Sequence, residues 1–225
     1  MVDSAAMEGS ESLEALCCQY WFPVYATVRR SGHDAEAAKD LTQGFFAKLL
    51  EKQWLAAADR EKGRFRTFLI TALKRYMANQ WDHEHAAKRG GFAETIPLDT
   101  NSAEHLYSLE STNSESPDVL FDRRWALALI DASLDRLRAE YSDAGWIDDF
   151  AILKPCLTAE RGEISYSKIA EALGKSEGAA RVAIHRLRKR YRQVFRDEVA
   201  RTVGDDTEVD AEMAELFAAL SPQPM

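Results

Sequence analysis

The sequence has little cysteine, proline or glycine, and each shortage excludes a class of protein. Its 225 residues include only 3 Cys, and Cys17, Cys18 and Cys156 are too oddly spaced for a disulfide framework or a zinc site. Only 6 Pro and 11 Gly, beside abundant Ala, Leu, Glu and Arg, favour helices. No stretch alternates apolar and polar residues as a half-buried strand does. We therefore expect an all-α protein.

The sequence also lacks the patterns of membrane proteins and of common enzyme classes. No apolar run approaches the roughly 18 residues of a membrane span, and the N-terminus has no signal pattern. We therefore expect a cytoplasmic protein without membrane insertion. There is no Gly-rich phosphate loop, nucleophile motif or pair of metal ligands, so we expect neither an enzyme nor a cofactor. His83 and His85 would point to different sides of a helix, which argues against a metal site.

Charge is distributed unevenly along a chain whose net charge is −8. Residues 161–201 hold eleven Lys or Arg against five Asp or Glu, and residues 60–90 hold eight against three. Residues 91–160 hold five against fourteen, and the tail from Thr202 has six acids and no Lys or Arg. Two basic blocks separated by an acidic one predict two DNA-contacting modules on a connector that does not itself compete for phosphate.

The most informative stretch runs from Ile164 to Tyr191 and predicts two helices joined by a tight turn. Ser165 and Ser176 are candidate N-caps, and Gly174 falls where the first helix must end. One apolar stripe on the second helix consists of Ala180, Ile184, Leu187 and Tyr191. A basic second helix turned outward can enter a DNA major groove. The alternative is an ordinary helical hairpin with a solvated basic face, but small residues at the expected helix crossing favour the DNA-binding motif.

Helical periodicity extends over most of the remaining chain. In chain order we predict helices over 13–30, 35–52, 65–85, 117–141 and 146–157, continuation of the basic helix to about 203, and a final helix after Gly204 with Val209, Met213, Leu216, Phe217 and Leu220 inward. The helix at 35–52 carries acids near its N-terminal end, where the helix dipole favours them. The helix at 65–85 combines aromatic with basic and amide side chains, as single-strand binding does, although core packing explains Phe68 equally well.

These pieces in this order resemble a bacterial RNA polymerase sigma factor of the extracytoplasmic-function group. The matching stretches are DAEAAKDLTQGFFAKLL from Asp34, GRFRTFLITALKRYMANQWD from Gly63, and ISYSKIAEALGKSEGAARVAIHRLRKRY from Ile164. The resemblance implies two small helical domains on a flexible acidic linker. We place region 2 at 1–89, the linker at 90–116, region 4 at 117–203 and an acidic C-terminal extension at 204–225.

The resemblance also implies partners and site residues. Region 2 would bind the clamp helices of the largest polymerase subunit through Asp34, Glu36, Asp40, Gln43 and Phe46. It would capture a flipped base of the −10 element in the loop 57–66, and hold the melted strand through Arg64, Arg66, Lys74, Arg75 and Asn79. Region 4 would contact the polymerase flap and read the −35 element through Ser176, Glu177, Arg181, Val182, His185 and Arg186, with Arg188, Lys189 and Arg190 on phosphates. An anti-sigma factor or a regulatory kinase would be a further partner.

Two features depart from the family pattern. The segment from Ser142 to Glu163 is longer than usual, and the acidic tail exceeds a minimal member. The tail could cover a surface, bind a regulator, or fold back on the basic region 4 and inhibit it. The competing function is a stand-alone helix–turn–helix transcription regulator with an N-terminal sensing or dimerisation domain. The second basic block, around Arg66 to Arg75, favours the sigma factor, because a sensor domain has no need of it.

Overall fold

The computed structural model describes residues 19–50, 64–84, 104, 107, 116–160 and 162–221, and every element in these ranges is helical. The longer helices are α1 (19–30), α2 (Ala35–Leu50), α3 (Phe65–Glu84), α4 (Pro117–Asp143), α5 (Ile147–Leu153), α6 (Tyr166–Leu173), α7 (Glu177–Ala200) and α8 (Val209–Leu220). Short 3₁₀ turns follow α5 (Lys154–Leu157) and precede α8 (Asp206–Glu208). The predicted all-α class is confirmed for these ranges.

The chain divides into two packing units. The first contains residues 1–128 and 202–225, and the second contains residues 129–201. The domain boundaries implied by the family resemblance lie at 89, 116 and 203. The first part of α4 and the acidic C-terminal helix both pack with the N-terminal helices, so the first unit is assembled from segments far apart in sequence.

Stacked aromatic rings form the centre of the first unit. Trp125 of α4 is fully buried, and its ring lies 3.6 Å from that of Tyr20 with the planes at 8°. The ring of Phe65 approaches the same indole at 5.9 Å. Helical periodicity predicts an inner side of α4 made of Leu120, Leu127, Ile130, Leu134 and Leu137. Leu120 and Leu137 are buried and the other three are partly buried, whereas Phe121 and Trp125, which the pattern does not single out, are fully buried.

Helices α2 and α3 approach closely at Gly44. A side chain at this position would collide with the hydroxyl of Tyr76, to which Gln80 donates a hydrogen bond of 2.9 Å. A glycine inside a helix costs about 0.5–1 kcal/mol relative to alanine, and the close packing explains why it is used here. Helical periodicity predicts Thr42 on the outer face of α2, but it is buried, and its hydroxyl is satisfied by donating to the carbonyl of Ala38 at 2.7 Å.

Only residues 104, 107 and 116 of the predicted linker lie in the described part of the chain. The Glu104 carboxylate accepts hydrogen bonds from the Tyr25 hydroxyl (2.6 Å) and from Arg29 (2.5 and 2.9 Å). The Arg29 guanidinium also lies over the ring of Tyr107. The hydrogen bond from Arg29 lowers the pKa of Glu104. At these two positions the predicted linker is docked on α1.

The C-terminal helix α8 buries a mixed face in the first unit. Val209, Glu212 and Leu216 share this face and are 2%, 0% and 1% exposed. The prediction that Val209 and Leu216 point inward is confirmed, whereas the prediction for Phe217 is wrong, since its side chain is 52% exposed. Periodicity groups the apolar Phe217 with the buried residues and the acidic Glu212 with the exposed ones. The ion pairs of Glu212 with Arg64 and Arg66 reverse this, so that the carboxylate is buried and the Phe217 ring is exposed.

The second unit has its own apolar core. Its buried members come from α4, α5, the following 3₁₀ turn and the pair α6–α7, and they are Leu137, Phe150, Leu153, Cys156, Ile164, Ile184 and Leu187. Burial raises the pKa of the Cys156 thiol. The thiol therefore stays protonated and acts as a small apolar group.

Replacing Trp125 with alanine should destabilise the chain by about 3–5 kcal/mol, because the deletion leaves a large cavity among stacked rings. Trp146→Ala is the matched control, since Trp146 is 63% exposed and should change stability by no more than about 0.5 kcal/mol. Urea unfolding followed by circular dichroism measures both. Equal losses in the two variants would contradict the central role of Trp125.

Candidate nucleic-acid interface

The helix pair α6–α7 is joined by a tight turn that requires glycine. Gly174 ends α6 with φ of 62°, in the left-handed region. The N–H of Gly174 donates to the Glu171 carbonyl (3.1 Å), and the N–H of Lys175 donates to the Ala170 carbonyl (2.9 Å). These bonds satisfy two carbonyls that the helix end leaves open. The predicted glycine stop is confirmed.

The start of α7 is capped by a side chain, whereas the start of α6 is not. The Ser176 hydroxyl accepts a hydrogen bond from the Ala179 N–H at 3.3 Å, which confirms the predicted cap. Ser165 precedes α6 in an extended conformation but makes no such bond. Ser176 thus sets the point at which α7 begins, and with it the register of every outward side chain that follows.

A cationic stripe covers the outward face of α7. Ala180, Ile184 and Leu187 are buried against the core of the second unit. Away from this buried face lie the exposed members of what we call the α7 stripe: Arg181 at one side of the helix, and Val182, His185, Arg186 and Lys189 towards the side opposite the core. Val182 is 49% exposed although it is apolar. An uncovered apolar side chain between cations suits a surface that contacts base edges as well as phosphate.

Arg181 is held in place before any ligand arrives. Its guanidinium lies 4.5 Å above the ring centroid of Tyr166, and it approaches Glu177 at 4.0 Å with 63% of its side chain exposed. Cation–π contacts at exposed sites contribute about 0.5–1 kcal/mol. The sequence analysis did not identify Tyr166, because its ring meets Arg181 only through the crossing of α6 and α7.

Two arginines expected to contact phosphate, Arg188 and Arg190, donate hydrogen bonds to groups of the second unit itself. Arg188 donates to the carbonyls of Cys156 (2.9 Å) and Ala159 (2.7 Å). Arg190 forms a two-fold ion pair with Glu140 of α4 at 2.6 and 2.7 Å, and this hydrogen bonding lowers the pKa of Glu140. Both lie at the sides of α7, between the buried face and the stripe. In this conformation they brace the helix instead of facing outward.

The predicted strand-binding cations of the first unit differ sharply in exposure. Arg66 is only 8% exposed, and Arg64 and Arg66 are ion-paired with Glu212 and Glu215. Lys74 pairs with Asp118 at 2.7 Å on the surface. Arg75 and Asn79 are exposed on α3 and make no ion pair within the described residues. Arg66 is therefore enclosed within its own unit in this conformation.

The predicted polymerase-binding side chains of α2 are mostly, but not all, on its surface. Asp34 caps the helix by accepting from the Ala37 N–H at 2.8 Å. Glu36 and Asp40 are exposed and Gln43 is partly buried. Phe46 is 1% exposed and packs on Phe45. A buried ring cannot contact a partner, so the role assigned to Phe46 does not fit this conformation.

Some predicted features lie outside the described residues. The base-capturing loop 57–66 is described only from Arg64 onward, and the side chains of residues 81–84 are not described. Within the described ranges, three or more His, Cys, Asp or Glu side chains do not cluster as metal ligands would. No helix in these ranges is long and apolar enough to cross a membrane.

Comparison with known proteins gives no relative: no family model matches the chain, and no curated protein or solved structure is significantly similar to it.

Replacing Arg188 with alanine should lower the stability of the second unit by about 1–3 kcal/mol, because two part-buried carbonyls lose their donors. Lys189→Ala removes the same charge from the neighbouring exposed position and should change stability by no more than about 0.5 kcal/mol. Chemical denaturation distinguishes them. If Arg188→Ala is neutral, the arginine is free to serve as a phosphate contact after all.

Proposed function

We propose that this chain is a promoter-specificity subunit of bacterial RNA polymerase, a sigma factor of the extracytoplasmic-function group. The observation that carries the proposal is the α7 stripe, a row of cations around an uncovered valine on the second helix of a helix–turn–helix. The order of the three sequence stretches that resemble the family supports it further. Such a protein has no active site of its own, and the polymerase performs the chemistry.

The −35 element would be read as duplex by the N-terminal half of α7. Arg181 and Arg186 can each pair with the two major-groove acceptors of a guanine, and Val182 suits the methyl group of thymine. Lys189 lies one turn further along the stripe and suits a phosphate. Arg188 and Arg190 would act indirectly, by bracing α7 against the carbonyls and the carboxylate that they already bind.

The first unit would bind the polymerase and the melted −10 strand. The exposed acids Glu36 and Asp40 on α2 suit the clamp helices of the largest subunit. Lys74, Arg75 and Asn79 on α3 offer the cations and amide that a single strand requires. We propose a cytoplasmic location, with an anti-sigma factor or a kinase as a further partner.

A stand-alone helix–turn–helix regulator is the second candidate, and one observation favours it. The basic block around Arg66 to Arg75 favoured the sigma factor over the regulator on sequence grounds. Its charge is partly neutralised, since Arg64 and Arg66 pair with carboxylates of their own unit. A sensing domain could use these arginines purely for folding. Purified protein mixed with core polymerase decides between the two: promoter-dependent initiation supports the sigma factor, whereas duplex binding without core binding supports the regulator.

Arg181→Ala should weaken binding to the selected −35 duplex by about 1–3 kcal/mol, with the loss concentrated at one base pair. The duplex is first obtained by selection from a random pool with the full chain. Arg138→Ala is the control of equal charge, because Arg138 is exposed on α4 and lies outside the helix pair α6–α7. Fluorescence anisotropy on single-base variants of the duplex measures the effect. A loss that is uniform across all variants would assign Arg181 to a phosphate instead.

Asp40→Lys should reduce binding to core polymerase and leave duplex binding by α7 intact, because Asp40 is exposed on α2 and a reversed charge opposes a cationic partner surface. Asp148→Lys makes the same charge change at an exposed position of α5 in the second unit. Co-purification with core polymerase compares the two variants. Equal weakening would mean that net charge, and not the α2 face, controls the interaction.

A further inference from the structure

The guanidinium of Arg66 is enclosed by carboxylates from two other helices. It donates to Glu212 through Nε (2.8 Å) and Nη2 (3.1 Å), and to Glu215 through Nη2 (2.7 Å). It also pairs with Asp122 of α4. Arg64 joins the same cluster, with Nη1 at 3.0 Å from Glu212 and 2.5 Å from Glu215. Burial opposes the charge of Arg66, but hydrogen bonds and charges from Glu212 and Asp122 raise its pKa.

The buried carboxylate of α8 determines where this helix can dock. Glu212 is fully buried between Val209 and Leu216 on one face of α8. An apolar surface would not accept that face, because an unpaired carboxylate is costly to remove from water. The pair Arg64 and Arg66 offers the forked donors that a carboxylate needs, and a phosphate needs the same donors. The carboxylates of α8 therefore bind the two arginines through the same donors that the phosphates of a nucleic acid would use.

Apolar contacts alone hold α8 only modestly. Val209 and Leu216 are its only fully buried apolar side chains, while Phe217 is half exposed. Its attachment therefore depends strongly on the ion pairs. Elements with few buried apolar contacts open at a lower free energy than the core.

The start of the tail stays close to the arginines by a separate contact. The Phe65 N–H, between Arg64 and Arg66, donates to the Thr202 carbonyl at 2.8 Å. Thr202 and Val203 are both buried. A released α8 would remain tethered beside its docking place, and tethering gives an intramolecular competitor a high effective concentration.

We propose that α8 is an intramolecular competitor for nucleic acid, occupying Arg64 and Arg66 with carboxylates where a single strand would place its phosphates. The inference rests on the proposed function, in which α3 holds a melted strand, and it adds Arg64 and Arg66 to the side chains that do so. Docked, the helix places two carboxylates, those of Glu212 and Glu215, on Arg64 and Arg66, in addition to Asp122 of α4 on Arg66. Released, it leaves Asp122 on Arg66 and no carboxylate of α8 on either guanidinium, beside the partly buried rings of Phe65 and Phe68. Binding of a strand and docking of α8 exclude each other.

The test uses the full chain and a labelled single-stranded DNA of about 16 nucleotides, long enough for several phosphate contacts. Glu215→Gln removes one carboxylate from the cluster at a position whose side chain is 53% exposed, so folding should persist. Asp206→Asn is the matched control, with the same change in net charge at an exposed residue of the 3₁₀ turn before α8. Glu215→Gln should bind the strand about two- to fivefold more tightly than Asp206→Asn, the range for partly exposed ion pairs.

Hydrogen exchange on the unmutated chain provides a second measurement that needs no variant. Saturating single strand should speed exchange of the α8 amides. An equal gain in the two variants, no measurable strand binding by any form, or α8 exchange that does not rise would each overturn the inference. A chain that initiates transcription while α8 stays protected would overturn the competitor and leave the sigma factor standing. A chain that releases α8 but never binds core polymerase would overturn the sigma factor and leave the competitor standing.

Discussion

The buried charge of Arg66 is the constraint on which the first unit depends. A guanidinium that is 8% exposed must be matched by acceptors, and the chain supplies them from α4 and from the C-terminal helix. Removing one partner of a buried pair typically costs about 3–5 kcal/mol, because the other charge is left uncompensated. The cluster therefore joins three segments that are distant in sequence, and it explains why the acidic tail belongs to the unit that contains α3.

The second unit separates cations by their angle around one helix. Side chains that continue the buried face are apolar, Arg188 and Arg190 at its two sides brace α7 against neighbouring backbone and against Glu140, and the side chains opposite the core are uncovered, as is Arg181, two turns before Arg188 on the same side. Gly174 and the Ser176 cap set where α7 begins and so decide which residue falls in which class. Cations as close as Arg188 and Lys189 thereby acquire different roles. The function of each depends on a rotation of about 100° per residue.

Counting charge along the sequence overstated the free positive surface. The two basic blocks exist, but Arg64, Arg66, Lys74, Arg188 and Arg190 are all matched by acceptors of their own unit. Within the described residues, the two blocks still offer a polyanion the α7 stripe, Arg75 on α3, and the exposed Lys168 and Arg192. The sequence left three roles open for the acidic tail, to cover a surface, to bind a regulator or to fold back on the C-terminal basic block, and the ion pairs observed for it are to the arginines at the start of α3. The carboxylate of Glu212, in the middle of the apolar face of α8, explains these contacts, because it needs hydrogen-bond donors at one defined position.

The sequence by itself determined the helical elements. Apolar periodicity, the caps and the glycine at position 174 are local properties of the chain, so helices α2 to α7 lie close to their predicted ranges, and the turn before α7 is where it was expected. Only the tertiary structure decided which side chains are buried or paired within the chain and which remain exposed. Trp125, Tyr166 and Glu212 owe their roles to partners 15 to 146 residues away, and a periodic pattern carries no information about such pairs. For the same physical reason the burial of Phe46 and Arg66 could not be predicted: a side chain faces solvent or core according to what packs over it, and what packs over it comes from elsewhere in the chain.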